Sequence, residues 1–182
     1  MKQIIAFAGS NSKTSINKQL VQYAATLTTD ANFEVTVLDL NDFEMPLFGV
    51  DLEASEGVPD TAHNLLHYIQ NADGIMLALA EHNGAYSAVF KNAFDWMSRI
   101  NAKIFANKPV MLMSASPGGR GGASVLAIAK DRFPRHEARL TAEFSLPFFA
   151  TNFDGQQVTE PALKTALLNT INQFKNTILH GN

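Results

Sequence analysis

Gln3-Ile4-Ile5-Ala6-Phe7-Ala8 is an apolar run of strand length, and Gly9-Ser10-Asn11-Ser12-Lys13-Thr14-Ser15-Ile16-Asn17 follows it with a glycine and a row of polar residues. Apolar side chains then recur at helical spacing over residues 15–27, which predicts an amphipathic helix. A strand, a glycine turn and a helix in this order are typical of the first unit of a parallel sheet with crossover helices.

The same alternation continues along the chain. Strands are predicted at residues 3–8, 34–39, 74–80, 109–114 and 139–145, and helices at residues 15–27, 86–97 and from residues 159–161 onward. Several strands are almost unbroken apolar runs, as in sheets covered on both faces. The sequence therefore predicts the α/β class, with a doubly wound five-stranded parallel sheet, helices on both faces and a single domain over residues 1–182.

Composition excludes several classes of protein. The 182 residues include no cysteine, 46% are hydrophobic, and the net charge is -3, so neither a disulfide scaffold nor a basic nucleic-acid surface is present. No apolar run reaches the ~20 residues of a membrane span, and no signal region is recognisable at the start. We expect a cytoplasmic protein with no nucleic-acid or membrane partner.

The first loop, residues 9–15, is predicted to bind an anion. A dinucleotide fingerprint needs glycine where Asn11 stands, and a P-loop needs Gly-Lys-Ser/Thr where Thr14-Ser15-Ile16 stands. The remaining pattern is a set of hydroxyl and amide donors at a helix N-terminus, where free N–H groups and the helix dipole favour a terminal phosphate. The alternative is an ordinary polar turn with Ser15 as N-cap.

Two further loops are expected beside the first loop. In a doubly wound sheet, ligands bind at the carboxyl ends of the strands where the strand order reverses. The third loop (residues 80–86) reads Ala80-Glu81-His82-Asn83-Gly84-Ala85-Tyr86, and the fourth loop (residues 115–122) reads Ala115-Ser116-Pro117-Gly118-Gly119-Arg120-Gly121-Gly122. Glycine-rich backbone and amide groups suit the edge of a flat heterocycle such as isoalloxazine.

On these residues the chain resembles the flavodoxin-like NAD(P)H-dependent FMN reductases, a family that includes quinone, chromate and azo-dye reductases. The resemblance covers nearly the whole chain, and its most specific element is Lys91-Asn92-Ala93-Phe94-Asp95-Trp96 after the third loop. It also includes Pro46-Leu47-Phe48 in the second loop, defined as residues 41–59.

The resemblance implies the sheet order 2-1-3-4-5, FMN as cofactor and NADPH or NADH as substrate, with no general acid or base. It implies a small-molecule electron acceptor (flavin, quinone, azo dye or metal oxyanion) and a homodimer or homotetramer. The first loop would hold the FMN phosphate, and the third and fourth loops the ring. The implied FMN-binding residues are Gly9, Ser10, Ser12, Ser15, Ile16, Asn17, Ala80, Glu81, His82, Asn83, Gly84, Ser116, Pro117, Gly118, Gly119 and Arg120.

Two positions depart from the family pattern. Ser12 stands where the family usually has arginine, and Ala80-Glu81-His82-Asn83 where it usually has Pro-Glu-Tyr-Asn. A missing arginine removes a charge-assisted phosphate contact, for which Lys13 offers only a point charge. Two alternatives therefore stay open: an FMN-binding electron carrier without nicotinamide turnover, and a flavin-less binding or sensor module.

Other conspicuous residues have simpler interpretations. His63 and His67 are four residues apart, but a third ligand is missing and no metal site is expected. Asp95 is predicted to form helix-surface ion pairs with Lys91 and Arg99, and Trp96 to pack under the sheet. Arg120 is predicted either to contact a nicotinamide 2′-phosphate or a partner subunit, or to lie in solvent. The apolar segments 43–48 and 146–149 are predicted to be exposed in loops and to mark subunit interfaces or ligand slots.

Overall fold

A five-stranded parallel sheet forms the centre of the computed structural model, which describes residues 1–181. In chain order the strands are β1 (Lys2–Gly9), β2 (Phe33–Leu38), β3 (Gly74–Leu79), β4 (Glu81–His82), β5 (Ala85–Tyr86), β6 (Pro109–Ala115) and β7 (Arg139–Leu146). The sheet order is β2-β1-β3-β6-β7, with β4 and β5 forming a separate hairpin. Once that hairpin is set aside, this is the predicted order 2-1-3-4-5, and the flavodoxin-like fold is confirmed.

Helices cover both faces of the sheet. They are α1 (Ile16–Thr28), α2 (Val50–Glu56), α3 (Asp60–Asn71), α4 (Ala88–Ile100), α5 (Ala123–Arg132), α6 (Phe149–Asn152) and α7 (Pro161–His180). Successive strand residues point to opposite faces, so Ile5 and Phe7 pack with α3, α4 and α5, whereas Ile4 and Ala6 pack with α1 and α7. Complete burial of a side chain such as Phe7 contributes about 2–3 kcal/mol, and this explains why the central strands are apolar throughout.

Two helices that begin at the carboxyl edge of the sheet, α1 and α4, start at serines that cap them. The Ser15 hydroxyl accepts a hydrogen bond from the Lys18 amide at 3.2 Å, and the Ser87 hydroxyl accepts one from the Phe90 amide at 3.3 Å. Each cap satisfies an amide that has no partner inside its helix. The positions of both helix starts are thus fixed by local chemistry directly after β1 and the third loop.

The predicted strands and the observed ones differ by no more than two residues at either end. The β4–β5 hairpin, the short helix α2 inside the second loop and the helices α5 and α6 were not predicted. Within residues 1–181, no helix combines the length and the apolar character that crossing a membrane requires.

Candidate functional site

The carboxyl ends of β1, β3 and β6 bring the first, third and fourth loops together, because these strands are neighbours in the sheet. Side chains tie the loops to one another. The Ser87 hydroxyl, at the start of α4, donates to the Gly9 carbonyl at 2.7 Å, and the Glu81 carboxylate accepts from the Val125 amide of α5 at 3.0 Å. The predicted site residues therefore lie along one edge of the sheet.

The first loop presents neutral donors at the start of α1. The Ser10 hydroxyl accepts from the Ser12 amide at 3.2 Å, and the Ser12 carbonyl accepts from the Ser15 amide at 3.3 Å, so the loop folds into a tight turn. The first turn of α1 contains no acidic residue. An anion is favoured here by the positive end of the helix dipole and by the exposed residues Ser12 and Lys13. It is also favoured because that turn contains no carboxylate.

Asn17 has a different position from that expected for a phosphate ligand. Its side chain is buried, its Oδ1 accepts from the Ala115 amide at 2.8 Å, and its Nδ2 donates to the Ala115 carbonyl at 3.2 Å. Both polar atoms are thus committed to the backbone of the fourth loop. Asn17 joins α1 to β6, and it sets the separation of the first and fourth loops.

The third loop is a tight hairpin. Asn83 and Gly84 both have positive φ, 51° and 77°, between the short strands β4 and β5. Two such residues form the turn that matches the twist of antiparallel strands, and Asn-Gly is its most favoured sequence. His82 and Asn83 are exposed at the tip, whereas the Glu81 carboxylate points to α5. The amides at the tip, and not the Glu81 side chain, are available to a ligand.

The fourth loop depends on glycine for its close packing. Gly122 has φ of 78°, and a Cβ atom there would collide with the Ser114 hydroxyl, which itself donates to the Leu79 carbonyl at 2.7 Å. Pro117, Gly118 and Gly119 are exposed at the surface of this edge. The backbone of Gly118 therefore faces open space above the strand ends, whereas the Phe148 ring lies close to Gly119.

Arg120 also lies exposed in the fourth loop. Its guanidinium donates at 3.0 Å to the hydroxyl of Ser124, the second residue of α5. This contact within the loop and helix leaves the remaining guanidinium donors directed to solvent or to a ligand.

The second loop is anchored to α4 by the motif that carries most of the family resemblance. Asn92 Oδ1 accepts from the Phe48 amide at 2.8 Å, and Trp96 Nε1 donates to the Pro46 carbonyl at 2.8 Å. Trp96 is fully buried, and its ring meets the Phe48 ring edge-on with centroids 5.0 Å apart. The prediction that Trp96 packs under the sheet is wrong, because the second loop covers it.

A cavity of about 470 Å³ lies between the second loop, the first loop and α4. Its lining residues are Asn11, Leu40, Asn41, Phe43, Glu44, Met45, Pro46, Val89, Asn92 and Ala93. We call it the second-loop cavity. Sequence reasoning recognised the Asn92 and Trp96 motif but did not assign it this role, since the contacts join residues about fifty positions apart.

A second cavity, of about 660 Å³, lies between α4 and α5. Two buried polar atoms among its lining residues, Tyr86 Oη and His136 Nε2, have no hydrogen-bond partner within residues 1–181. His136 Nδ1 lies 2.7 Å from the Ala102 carbonyl and therefore donates to it. Burial raises the pKa of Tyr86 to about 12 and lowers the pKa of His136 below its usual value, so both groups are neutral near pH 7.

The remaining residues singled out in the sequence lie away from the three loops. His63 and His67 are exposed on α3, and His67 Nδ1 lies 3.1 Å from Asn71 Nδ2. Asp95 pairs with Lys91 at 2.7 Å, as predicted. Arg99 pairs instead with Glu53 of α2 at 2.9 Å, because the second loop brings that acid to α4.

The two apolar segments expected at the surface are mostly covered. Phe43 and Met45 pack against the core, and Leu146 and Phe149 are buried. In each segment one side chain remains strongly exposed, Leu47 at 82% and Phe148 at 54%. The core therefore covers most large apolar side chains of both segments, and the expected exposure is found at Leu47 and Phe148.

Comparison with known sequences places the chain among reductases. The sequence profile of the family described as NADPH-dependent FMN reductase matches residues 2–154. A quinone reductase of Escherichia coli K12 is 33% identical over 121 residues, which are 66% of this chain and 63% of the relative. A Vibrio ruber protein named NADH:(hydroxy)cinnamate reductase subunit CrdA is 31% identical over 166 residues, 87% of this chain and 79% of the relative. The match to the E. coli relative thus spans less than two thirds of that protein's length.

Solved structures show the same fold. FerB, a flavoenzyme NAD(P)H:(acceptor) oxidoreductase from Paracoccus denitrificans, superimposes with a TM-score of 0.78 at 24% identity, covering 98% of each chain. An azoreductase of Bacillus anthracis gives 0.69 at 17% identity, covering 97% of this chain and 100% of that one. Because the family profile matches most of its length, the chain belongs to the NADPH-dependent FMN reductase family.

Proposed function

We propose that the protein is an NAD(P)H-dependent oxidoreductase that works through FMN bound at the first, third and fourth loops. The observation that carries the proposal is the meeting of these three loops at the carboxyl edge of β1, β3 and β6, with donor groups and no carboxylate at the start of α1. Ligands bind at this place in doubly wound folds. Family membership supports the choice of FMN.

The residues fit the parts of FMN. A phosphate would be bound by three hydroxyls, those of Ser10, Ser12 and Ser15, and by the first backbone amides of α1, at Ile16 and Asn17. Lys13 adds a positive charge. The backbone of the third loop from Ala80 to Gly84 suits the edges of a planar ring, as does Ser116–Arg120 of the fourth loop, in which residues 117–120 are exposed. The side chain of Asn17, unlike its backbone amide, would act through Ala115 rather than on the phosphate directly.

When bound, FMN supplies a two-electron carrier that accepts a hydride from NAD(P)H and passes the electron pair to an acceptor. The chain's own work is to bind and orient the ring. Backbone amides of the third and fourth loops would stabilise negative charge on the ring. Oxidised nicotinamide leaves before a flavin, quinone, azo dye or metal oxyanion enters, which gives ping-pong kinetics.

Colour and bleaching test this proposal. The purified protein, incubated with FMN and freed of excess, should show flavin absorbance, and anaerobic NADPH or NADH alone should bleach it. Initial rates at several acceptor concentrations should then give parallel double-reciprocal lines. A colourless protein that binds no added FMN would support the flavin-less module and overturn the proposal.

One observation favours a second function, that of an FMN-binding electron carrier. Residues 19–90 contain no lysine or arginine but hold 11 of the 17 acidic residues, although the net charge of the chain is only -3. An acidic surface suits docking of a basic protein partner. A protein that keeps FMN, resists bleaching by either nicotinamide and is reduced by a partner reductase would be such a carrier.

We also propose a homo-oligomer, a dimer or a tetramer. Leu47 and the adjacent Val50, 82% and 66% exposed, place large apolar side chains in water at the second loop. Sedimentation at micromolar concentration should therefore show a species of at least twice 19.8 kDa, and Leu47→Asp should shift it toward monomer. Wild-type protein that sediments as a monomer would contradict this part of the proposal.

A further inference from the structure

Phe148 is a large apolar side chain in an unusual position beside the candidate site. It follows β7 and is 54% exposed, although phenylalanine is among the residues most often buried. Its backbone lies in the left-handed region, with φ of 47° and ψ of 54°. A bulky residue takes this conformation only where its surroundings hold it there, and such strain is concentrated at functional sites. This exposed and strained aromatic residue therefore calls for a role outside the core.

Hydrogen bonds hold Phe148 against the fourth loop. Its amide donates to the Gly118 carbonyl at 3.1 Å, and the next amide, of Phe149, donates to the Ser116 carbonyl at 3.1 Å. The tip of its ring lies over Gly119, where a Cβ atom would come within 2.7 Å of the ring carbon Cζ. A Cβ atom at Gly118 would meet only open space. The ring is thus fixed at the edge of the loop that is proposed to line the flavin.

The faces of the Phe148 ring are free for a planar group. Within residues 1–181 no other aromatic ring stacks on it, and no cation lies over it. Aromatic side chains bind nucleobases by stacking, because every base has a π-face, and this contact needs no hydrogen bond. Phe148 therefore offers a stacking surface next to the proposed flavin site.

The charge around Phe148 restricts the ligand. Arg120, which follows Gly119 directly, is exposed and uses one donor on Ser124, so other guanidinium donors remain for an anion. It is the one charged residue in segments 115–129 and 144–153. A stacking ring with a cation nearby and no carboxylate suits an aromatic group that carries phosphate. The adenosine 2′-phosphate of NADPH has this chemistry, and NADH lacks that phosphate.

We propose that Phe148 and Arg120 together bind the adenosine 2′-phosphate end of NADPH, so that the protein prefers NADPH to NADH. Phe148 stacks on the adenine, and the Arg120 guanidinium pairs with the 2′-phosphate. The inference rests on the proposed function for a reduced nicotinamide dinucleotide as hydride donor. It adds Phe148, which lies outside the implied FMN-binding residues, and it assigns the Arg120 side chain to the dinucleotide. Both residues determine specificity, because the adenosine end takes no part in hydride transfer.

Calorimetric titration of the FMN-loaded protein tests the two contacts separately. The probes are adenosine 2′,5′-bisphosphate and 5′-AMP, which differ only in the 2′-phosphate, and bound FMN keeps their phosphates out of the first loop. Wild-type protein should bind the bisphosphate about tenfold more tightly. Arg120→Gln should remove this difference, because it removes a charge-assisted contact with the 2′-phosphate. Phe148→Ala should instead weaken both probes about tenfold, a loss within the range of one stacked base.

Two controls match these variants at the opposite edge of the sheet. Leu179→Ala truncates an apolar side chain of α7 that is 45% exposed, and Arg135→Gln removes an exposed cation after α5. Both should leave the affinities for the two probes unchanged. Phe148→Asn separates binding from folding, because asparagine tolerates the left-handed region. It should weaken the probes as alanine does, with a urea midpoint no lower than that of the wild type.

Steady-state kinetics tests the stacking contact during turnover. In Phe148→Ala, kcat/KM for NADPH should fall about tenfold, whereas kcat/KM for 1,4-benzoquinone should fall less than about twofold. The two values separate because the dinucleotide and the acceptor react in different half-reactions, and the acceptor has no adenosine to stack. An equal fall in both would place Phe148 over the reacting ring and overturn the inference.

The outcomes separate this inference from the proposed function. Unchanged affinity for both probes in Phe148→Ala, with or without a shift toward monomer in sedimentation, overturns the inference while flavin bleaching still supports the function. Equal binding of the two probes by the wild type also overturns it. A lower urea midpoint with unchanged probe affinity in Phe148→Asn would make the ring a packing residue. If the protein binds no FMN, the proposed function fails, and the loss of probe affinity in Phe148→Ala still decides whether the ring stacks on adenine.

Discussion

Ser15→Asp should separate the phosphate from the rest of the cofactor. The Ser15 hydroxyl caps α1 through the Lys18 amide at 3.2 Å, and aspartate caps helices as well as serine does. The substitution therefore keeps the helix start and places one negative charge where the FMN phosphate is proposed to bind. Riboflavin, which carries no phosphate, serves as the internal comparison.

The size of the effect follows from Coulomb's law. Two unit charges about 5 Å apart repel by roughly 0.8 kcal/mol in bulk water and by about 3 kcal/mol at an effective dielectric constant of 20. The phosphate carries about -1.5 to -2 charges. Ser15 is buried whereas Ser12 and Lys13 are exposed, so the repulsion should lie between the two limits and nearer the weaker one. We expect a loss of about 1.5–3 kcal/mol, which is a Kd for FMN roughly 10- to 150-fold higher.

Quenching of flavin fluorescence on titration with protein gives both dissociation constants. Ser15→Asn is the matched control, since asparagine also caps the helix but adds no charge. It should change the affinity for FMN by less than about threefold, and the Ser15→Asp defect should shrink as salt is added. Equal weakening of FMN and riboflavin by Ser15→Asp would refute the assignment of the first loop to the phosphate.

Three further predictions concern the framework of the site. Gly122→Ala should lower the free energy of unfolding by about 2–4 kcal/mol in urea titrations, because the new Cβ atom would collide with the Ser114 hydroxyl. The control is Gly57→Ala, which should cost only about 1 kcal/mol because Gly57 also has a positive φ, 79°, but open space around it. Equal losses in the two variants would count against the packing argument. Asn17→Leu should cost about 2–4 kcal/mol by leaving two buried backbone groups unpaired, and a change below 0.5 kcal/mol would show that water replaces them. Burial holds the pKa of His136 in the folded state below its value in the unfolded state, so the unfolded state takes up the proton first as pH falls. The free energy of unfolding should therefore fall below about pH 6.5, and it should fall more in the wild type than in His136→Asn. Parallel curves of stability against pH would mean that His136 is protonated equally in both states.

Local chemistry made part of the site predictable. The first loop could be proposed as an anion site because hydroxyl and amide residues between a strand and a helix favour an anion whatever the rest of the chain does. The hairpin of the third loop was not predicted, although Asn83-Gly84 is the usual sequence for such a turn. That signal was present and was missed. No sequence pattern predicted the hydrogen bond from the Val125 amide to the Glu81 carboxylate, because this bond joins residues that are far apart in the chain.

The sequence by itself determined the order of the five main strands and the two-faced sheet, and it pointed to the first loop as the proposed anion site, because periodicity, glycine turns and caps act over a few residues. Only the tertiary structure decided that Asn17 bonds to the Ala115 backbone and that Trp96 lies beneath the second loop. These contacts join positions 98 and 50 residues apart. A polar side chain can satisfy its hydrogen bonds at many places, and which place it takes depends on which backbone groups the packed sheet leaves unpaired beside it.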